Sequence, residues 1–206
     1  MRRFKFMVLL LVLAVCAVGS QAWADVALTT AFDNSIFRGY ISYNFDTNKD
    51  GSLSDAEISN AVSIDLSTWP NVEAINTLQG IEYLTALREL KTGRTNLAKA
   101  DLSKNTELMS LDINANIYSS LALDISNTSI ISLDISAEKP TITAKNCKDL
   151  RYVCLRSSCR GLNVEGCTAL NTITTRYTTS NGYKAYGALL YSLNVTGCTA
   201  LESVDV

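Results

Sequence analysis

The chain has 206 residues, 18 of them basic and 20 acidic, for a net charge of −2, and it contains no histidine. The acidic balance argues against nucleic acid as a partner, which would select a basic face. The missing histidine excludes Ser-His-Asp and Cys-His catalysis together with histidine-ligated zinc, and an apolar content of 47% with two prolines argues against disorder.

The N-terminus reads M-R-R-F-K, followed by an unbroken apolar run, Phe6 to Val18, and a small-x-small site at Ala22-Trp23-Ala24. A basic start, an apolar run and such a site together predict a secretory signal peptide over residues 1–24. The run is shorter than the roughly 20 residues that a membrane span needs. Lipoprotein-type cleavage at Cys16 would want a small residue where Val15 stands. Cleavage after Ala24 removes Arg2, Arg3 and Lys5, which makes the net charge more acidic, and it removes Cys16, which leaves an odd number of cysteines. The expected product is secreted, extracellular or at the cell surface, with no membrane span.

A helical cap is expected over residues 25–70. Phe32, Ile36, Tyr40 and Ile41 recur at helical spacing between Thr30 and Phe45. The segment that follows, Asp46 to Glu57, matches D-x-[DN]-x-[DN]-G-x₅-E at every specified position. Asp46, Asn48 and Asp50 supply hard oxygens at alternate positions, and Gly51 permits the sharp turn. Ser52 offers a backbone carbonyl, and Glu57 can close the sphere with both oxygens. This is the pattern of an EF-hand calcium loop, so Ca²⁺ is the expected ion. Ser54 and Glu57 also have the spacing of a capping box, which a loop without metal would use to start a helix. Leu53, at the eighth position, is expected to point away from the metal into apolar surroundings, and the loop's partner surface is expected to be the first repeat.

Residues 71–206 are read as a solenoid of about six coils. The leading leucine of each L-x-x-L-x-L block falls at Leu87, Leu108, Ile130, Leu150, Leu170 and Leu201. The first four steps are nearly equal and lie in the range of leucine-rich repeats. The last step is longer and contains an insertion near 176–191. From Ile75-N-T-L-Q-G-I-E-Y-L-T-A-L-R-E-L onward the chain resembles the internalin-type and other bacterial secreted leucine-rich repeat families. The resemblance implies a right-handed solenoid of α/β type with a parallel β-ladder. It also implies that the cap is the counterpart of the EF-hand-like helical cap of internalin-like proteins, here with its ligands kept.

Two strand segments are expected in each coil. One set is Leu111-Asp112-Ile113, Leu133-Asp134-Ile135, Val153-Cys154-Leu155, Ile173-Thr174-Thr175 and Val204-Asp205-Val206. The other is Ala100-Asp101-Leu102, Leu123-Asp124-Ile125, Ile142-Thr143-Ala144, Leu162-Asn163-Val164 and Leu193-Asn194-Val195. Alternation turns the flanking residues inward and the middle residue outward. By analogy with the family the first set is the concave ladder, although the two halves are alike enough to be exchanged. Asn105, Asn127, Cys147, Cys167 and Cys198 are expected to fill one turn position, and Cys154 with Cys159 is the candidate disulfide for an exported chain.

The insertion places Tyr177, Tyr183, Tyr186 and Tyr191 around a Ser-Asn-Gly turn, either as a projecting contact loop or as a hairpin folded back on the coils. Val206 closes a strand block with no polar capping surface behind it, which allows self-association through the C-terminus. The expected function is therefore non-enzymatic: a secreted binding or adhesion protein for an extracellular protein or glycan. Asp112, Asp134, Tyr152, Arg156 and Arg176 are the candidate ligand residues. The alternative is a structural, self-associating solenoid segment of an extracellular assembly. Asp112 and Asp134, on neighbouring strands, look like a surface row rather than an acid–base pair.

Overall fold

The structure is a computed structural model that describes residues 25–114, 120–135, 137, 139–178, 181–185 and 189–206, with the side chains of residues 177, 178, 184 and 185 excepted. The expected signal peptide and Tyr186 lie outside the described residues.

Among the described residues, three helices precede the repeats: α1 (Leu28–Ala31), α2 (Ser35–Asn44) and α3 (Asp55–Asn60). The helical pattern expected from Thr30 is broken at Asn34, whose side-chain oxygen accepts from the N–H groups of Ile36 and Phe37 at 3.0 Å and so begins α2. Phe37, Tyr40 and Ile41 form the buried face of α2, with Ile36 only partly covered. Asn34 also donates from Nδ2 to the Ala74 carbonyl at 2.9 Å, tying this segment to the first coil. Short strands β1 (Val26–Ala27) and β2 (Ser52–Leu53) pair antiparallel, with Leu53 opposite Val26 and its side chain fully buried in the apolar core, as expected.

Beyond residue 62 the chain is a parallel β-solenoid. One side carries β3 (Ser63–Asp65), β4 (Glu89–Lys91) and β6 (Ser110–Asp112), then β8 (Ser132–Ile135), β10 (Tyr152–Leu155), β12 (Thr172–Thr174) and β16 (Ser203–Asp205). Ile64, Leu90 and Leu111 share one register, as do Leu133, Val153, Ile173 and Val204. The hydrogen-bonded ladder is interrupted between β6 and β8, which nonetheless lie side by side. The other side carries β5 (Lys99–Asp101), β7 (Ala122–Asp124), β9 (Thr141–Thr143), β11 (Gly161–Asn163) and β15 (Leu193–Asn194) in one sheet. Its register runs Ala100, Leu123, Ile142, Leu162, Leu193. Both strand sets thus form parallel ladders facing a common core, each coil covering apolar surface that it cannot bury alone. The described repeats have strands on both sides and only two short 3₁₀ turns, Val72–Ala74 and Ile81–Tyr83, so the helices expected of an α/β solenoid are confined to the N-terminal segment.

The turn row is one residue out of the expected register in a single coil. Asn105, Thr128, Cys147, Cys167 and Cys198 occupy equivalent positions, each N–H bonded back three residues where that bond is formed. Thr128 is buried, whereas Asn127 is exposed and left-handed (φ +62°). The coil from Leu123 to Ile130 is one residue shorter between turn and strand, which shifts the row. The row satisfies carbonyls of the preceding coil. Asn105 donates to Ile81 and Leu84, and the thiols of Cys147, Cys167 and Cys198 donate to Ile125, Ala144 and Val164 at 3.0, 2.9 and 3.1 Å. All five described cysteines are free. The expected Cys154–Cys159 bridge is absent: Cys159 donates to the Pro140 carbonyl at 3.2 Å, and burial pushes its thiol up to about 11. The insertion forms a small antiparallel pair, β13 (Tyr177–Thr178) with β14 (Lys184–Ala185).

Candidate functional site

Two of the expected sites can be built from their residues. In the loop Asp46–Glu57 the side chains are held mainly by one another. Asp46 and Glu57 are 4% and 6% exposed, although both are carboxylates. Asp46 Oδ2 accepts from the Gly51 N–H at 3.1 Å, while its Oδ1 is buried with no hydrogen-bond partner. Asn48 Nδ2 donates to Asp50 Oδ2 at 2.7 Å, and Asp50 Oδ1 accepts from the Ser52 N–H at 2.8 Å. Gly51 (φ +84°) and Lys49 (φ +58°) supply the left-handed positions that fold the loop back on itself.

Glu57 is the third residue of the helix that Ser54 caps, and both halves of the capping box are formed. Its Oε2 accepts from the N–H and hydroxyl of Ser54, and its Oε1 from the N–H and hydroxyl of Thr47, at 2.8–2.9 Å. These four donors, Ser54 first, hold the Glu57 carboxyl at about 2, well below the ordinary carboxylate value. Thr47 escaped the sequence reading because the loop pattern leaves its position unspecified. Among the described residues, no group of three or more His, Cys, Asp or Glu side chains is arranged to hold a metal ion. The orphaned Asp46 oxygen nevertheless fits one: a buried anionic acceptor without a donor is the kind of atom that a cation satisfies.

The second site is the outer face of the β8–β10–β12–β16 ladder. Asp134, Cys154, Thr174 and Asp205 form one register row, and Ser132, Tyr152, Thr172 and Ser203 the next. Arg156 holds Asp134 bidentately, through Nε to Oδ1 at 2.6 Å and through Nη2 to Oδ2. Arg176 Nε pairs with Asp205 Oδ2 at 2.8 Å. Tyr152 is 38% exposed and flanked in register by the small hydroxyl residues Ser132 and Thr172. Asp134, Tyr152, Arg156 and Arg176 therefore share this face. Asp112 lies on β6, across the interruption and in register with Lys91. Cys154 points outward in the row yet is buried, beneath the Arg176 carbonyl at 4.0 Å; burial and the nearby Asp134 charge raise its thiol.

No protein-family model and no curated protein matches this chain. Among the described residues no helix is long and apolar enough to cross a membrane.

Proposed function

We propose that the chain is an exported, non-enzymatic binding or adhesion protein of the leucine-rich repeat type, with a structural Ca²⁺ ion in the loop of its helical N-terminal cap. The observation that carries the calcium reading is Asp46 Oδ1, buried without a partner at the first ligand position of a complete EF-hand pattern. Asn48, Asp50, the Ser52 carbonyl and Glu57 are the other ligands, and the ion's chemistry there is charge neutralisation alone. The extracellular protein or glycan ligand is assigned to the ladder face carrying Asp134, Tyr152, Arg156 and Arg176, where an aromatic ring stands beside oriented polar groups. Thermal melts in chelator and in millimolar calcium test the ion: the melting temperature should rise with calcium in the parent and not in Glu57→Gln. Equal melting of the parent in both buffers would refute it. A glycan and protein binding screen with Tyr152→Ala and Arg156→Ala tests the ligand face.

A further inference from the structure

On the opposite side of the solenoid, Thr77, Leu78, Gln79 and Glu82 of the first coil face Lys99, Ala100, Asp101 and Lys104 of the second around a recess of about 390 Å³. Its origin is local. Thr77-Leu78-Gln79 precedes Lys99-Ala100-Asp101 by nearly the interval that separates Lys99 from Ala122, its partner on β7, so it holds the place of a strand beside β5. No strand forms there, because Gly80 (φ +99°) turns the chain into the 3₁₀ turn at Ile81–Tyr83. Gln79 also replaces the Asp or Asn that ends later strands, where Asp101, Asn163 and Asn194 accept from the N–H two residues on. β5 is thus the edge of its sheet. Since Ala98 and Leu102 bond toward β7, alternation turns the N–H and C=O groups of Lys99 and Asp101 into the recess.

The polar groups around the recess are unevenly engaged. Glu82 Oε2 accepts from the Gly80 N–H at 2.8 Å, and Asp101 Oδ1 accepts from the N–H and hydroxyl of Ser103. Each carboxylate keeps one oxygen as an acceptor. Lys99 and Lys104 form no ion pair among the described residues, although both lie close enough to Asp101 to lower its carboxyl further, after the Ser103 bonds. Leu78 and Ala100 lie at the back of the recess with their side chains buried in the core. A volume of this size is typical of small-ligand sites.

We propose that this recess binds a carboxylated saccharide of the uronic acid class. The two ammonium groups meet the sugar carboxylate, and the remaining oxygens of Asp101 and Glu82, with the β5 edge, meet ring hydroxyls. An acidic peptide fits less well, because it has no hydroxyls to offer the remaining oxygens of Asp101 and Glu82.

The test uses titration calorimetry on the full exported chain with trigalacturonate, the neutral α-1,4-linked trisaccharide maltotriose and an aspartate tripeptide. Trigalacturonate should bind about tenfold or more tightly than either comparator, and Lys99→Ala with Lys104→Ala should weaken it by about tenfold or more. Arg94→Ala with Lys148→Ala, an equal charge change elsewhere, should leave it unaltered. All four residues are exposed, so both variants should keep the fold, as circular dichroism can verify. Absence of trigalacturonate binding, equal affinity for maltotriose or the tripeptide, or equal weakening in both double variants would overturn the proposal.

Discussion

Gly80 is the residue on which the N-terminal segment meets the coils. Its φ of +99° disfavours any side chain, and a Cβ there would come within 2.4 Å of the buried Phe32 ring. Gly80→Ala therefore combines backbone strain with a clash against a fully buried ring. Roughly 1–3 kcal/mol of strain is expected before the clash is counted, and a urea midpoint equal to the parent's would contradict this packing. Glu57 is a second such residue. Its folded carboxyl sits at about 2 against an ordinary 4.5, so the unfolded chain binds more protons between those values. Its contribution is thus complete above about pH 4.5 and is lost as the pH falls toward about 2. In calcium-free buffer, acid melts of Glu57→Gln should show a shallower pH dependence through this window than the parent. Parallel curves would mean that the Thr47 and Ser54 bonds do not form in solution.

Among the elements, β8 and β10 carry the clearest packing test. Leu133 is fully buried and in register with Val153, with β6 lying beside β8. Leu133→Ala should open a cavity costing roughly 2–5 kcal/mol, and limited proteolysis should cut first near that coil. A variant that melts no lower than the parent would argue against the register. The two ladders were legible because alternation of apolar residues survives in nearly every coil. The turn row was less so: Asn127 has the residue type of the buried position, yet coil length hands that position to Thr128, which hydrogen-bonds the Ile125 carbonyl at 2.7 Å. The start of α2 was hidden because apolar periodicity runs through Asn34, while the cap is set by one side-chain oxygen. Pairing of β2 with β1 was hidden too, since neither of these very short strands has a pattern of its own. In the calcium-type loop the ligand spacing was visible, but the burial of Asp46 and the grip of Thr47 on Glu57 arise from tertiary packing. The recess beside β5 is a missing strand, and sequence periodicity reports strands rather than their absence.

At the scale of the whole molecule, the N-terminal segment leads into the ladders, whose strand pairings among the described residues link successive coils. The Tyr40 hydroxyl accepts from the Asp65 N–H at 3.0 Å, while its ring packs edge-on against Trp69 at 5.2 Å, so the edge of β3 is closed by α2. Stability in such a chain is close to a sum of local and nearest-neighbour contributions, and a perturbation at one end should fade along the axis. If the Asp46–Glu57 loop holds calcium, linkage stabilises the closed cap by about 2.7 kcal/mol when free calcium reaches 100 times its Kd. That is about a hundredfold in the opening equilibrium of whatever unfolds with the loop. Hydrogen exchange with and without calcium should therefore show slowing of that order in the loop and α3, smaller slowing in β3 and β4, and none in β10 and β12. Glu57→Gln should abolish the whole gradient. Uniform slowing across all coils would show that the solenoid opens as one cooperative unit, and unchanged exchange in the loop itself would leave Asp46–Glu57 as a helix cap without a metal.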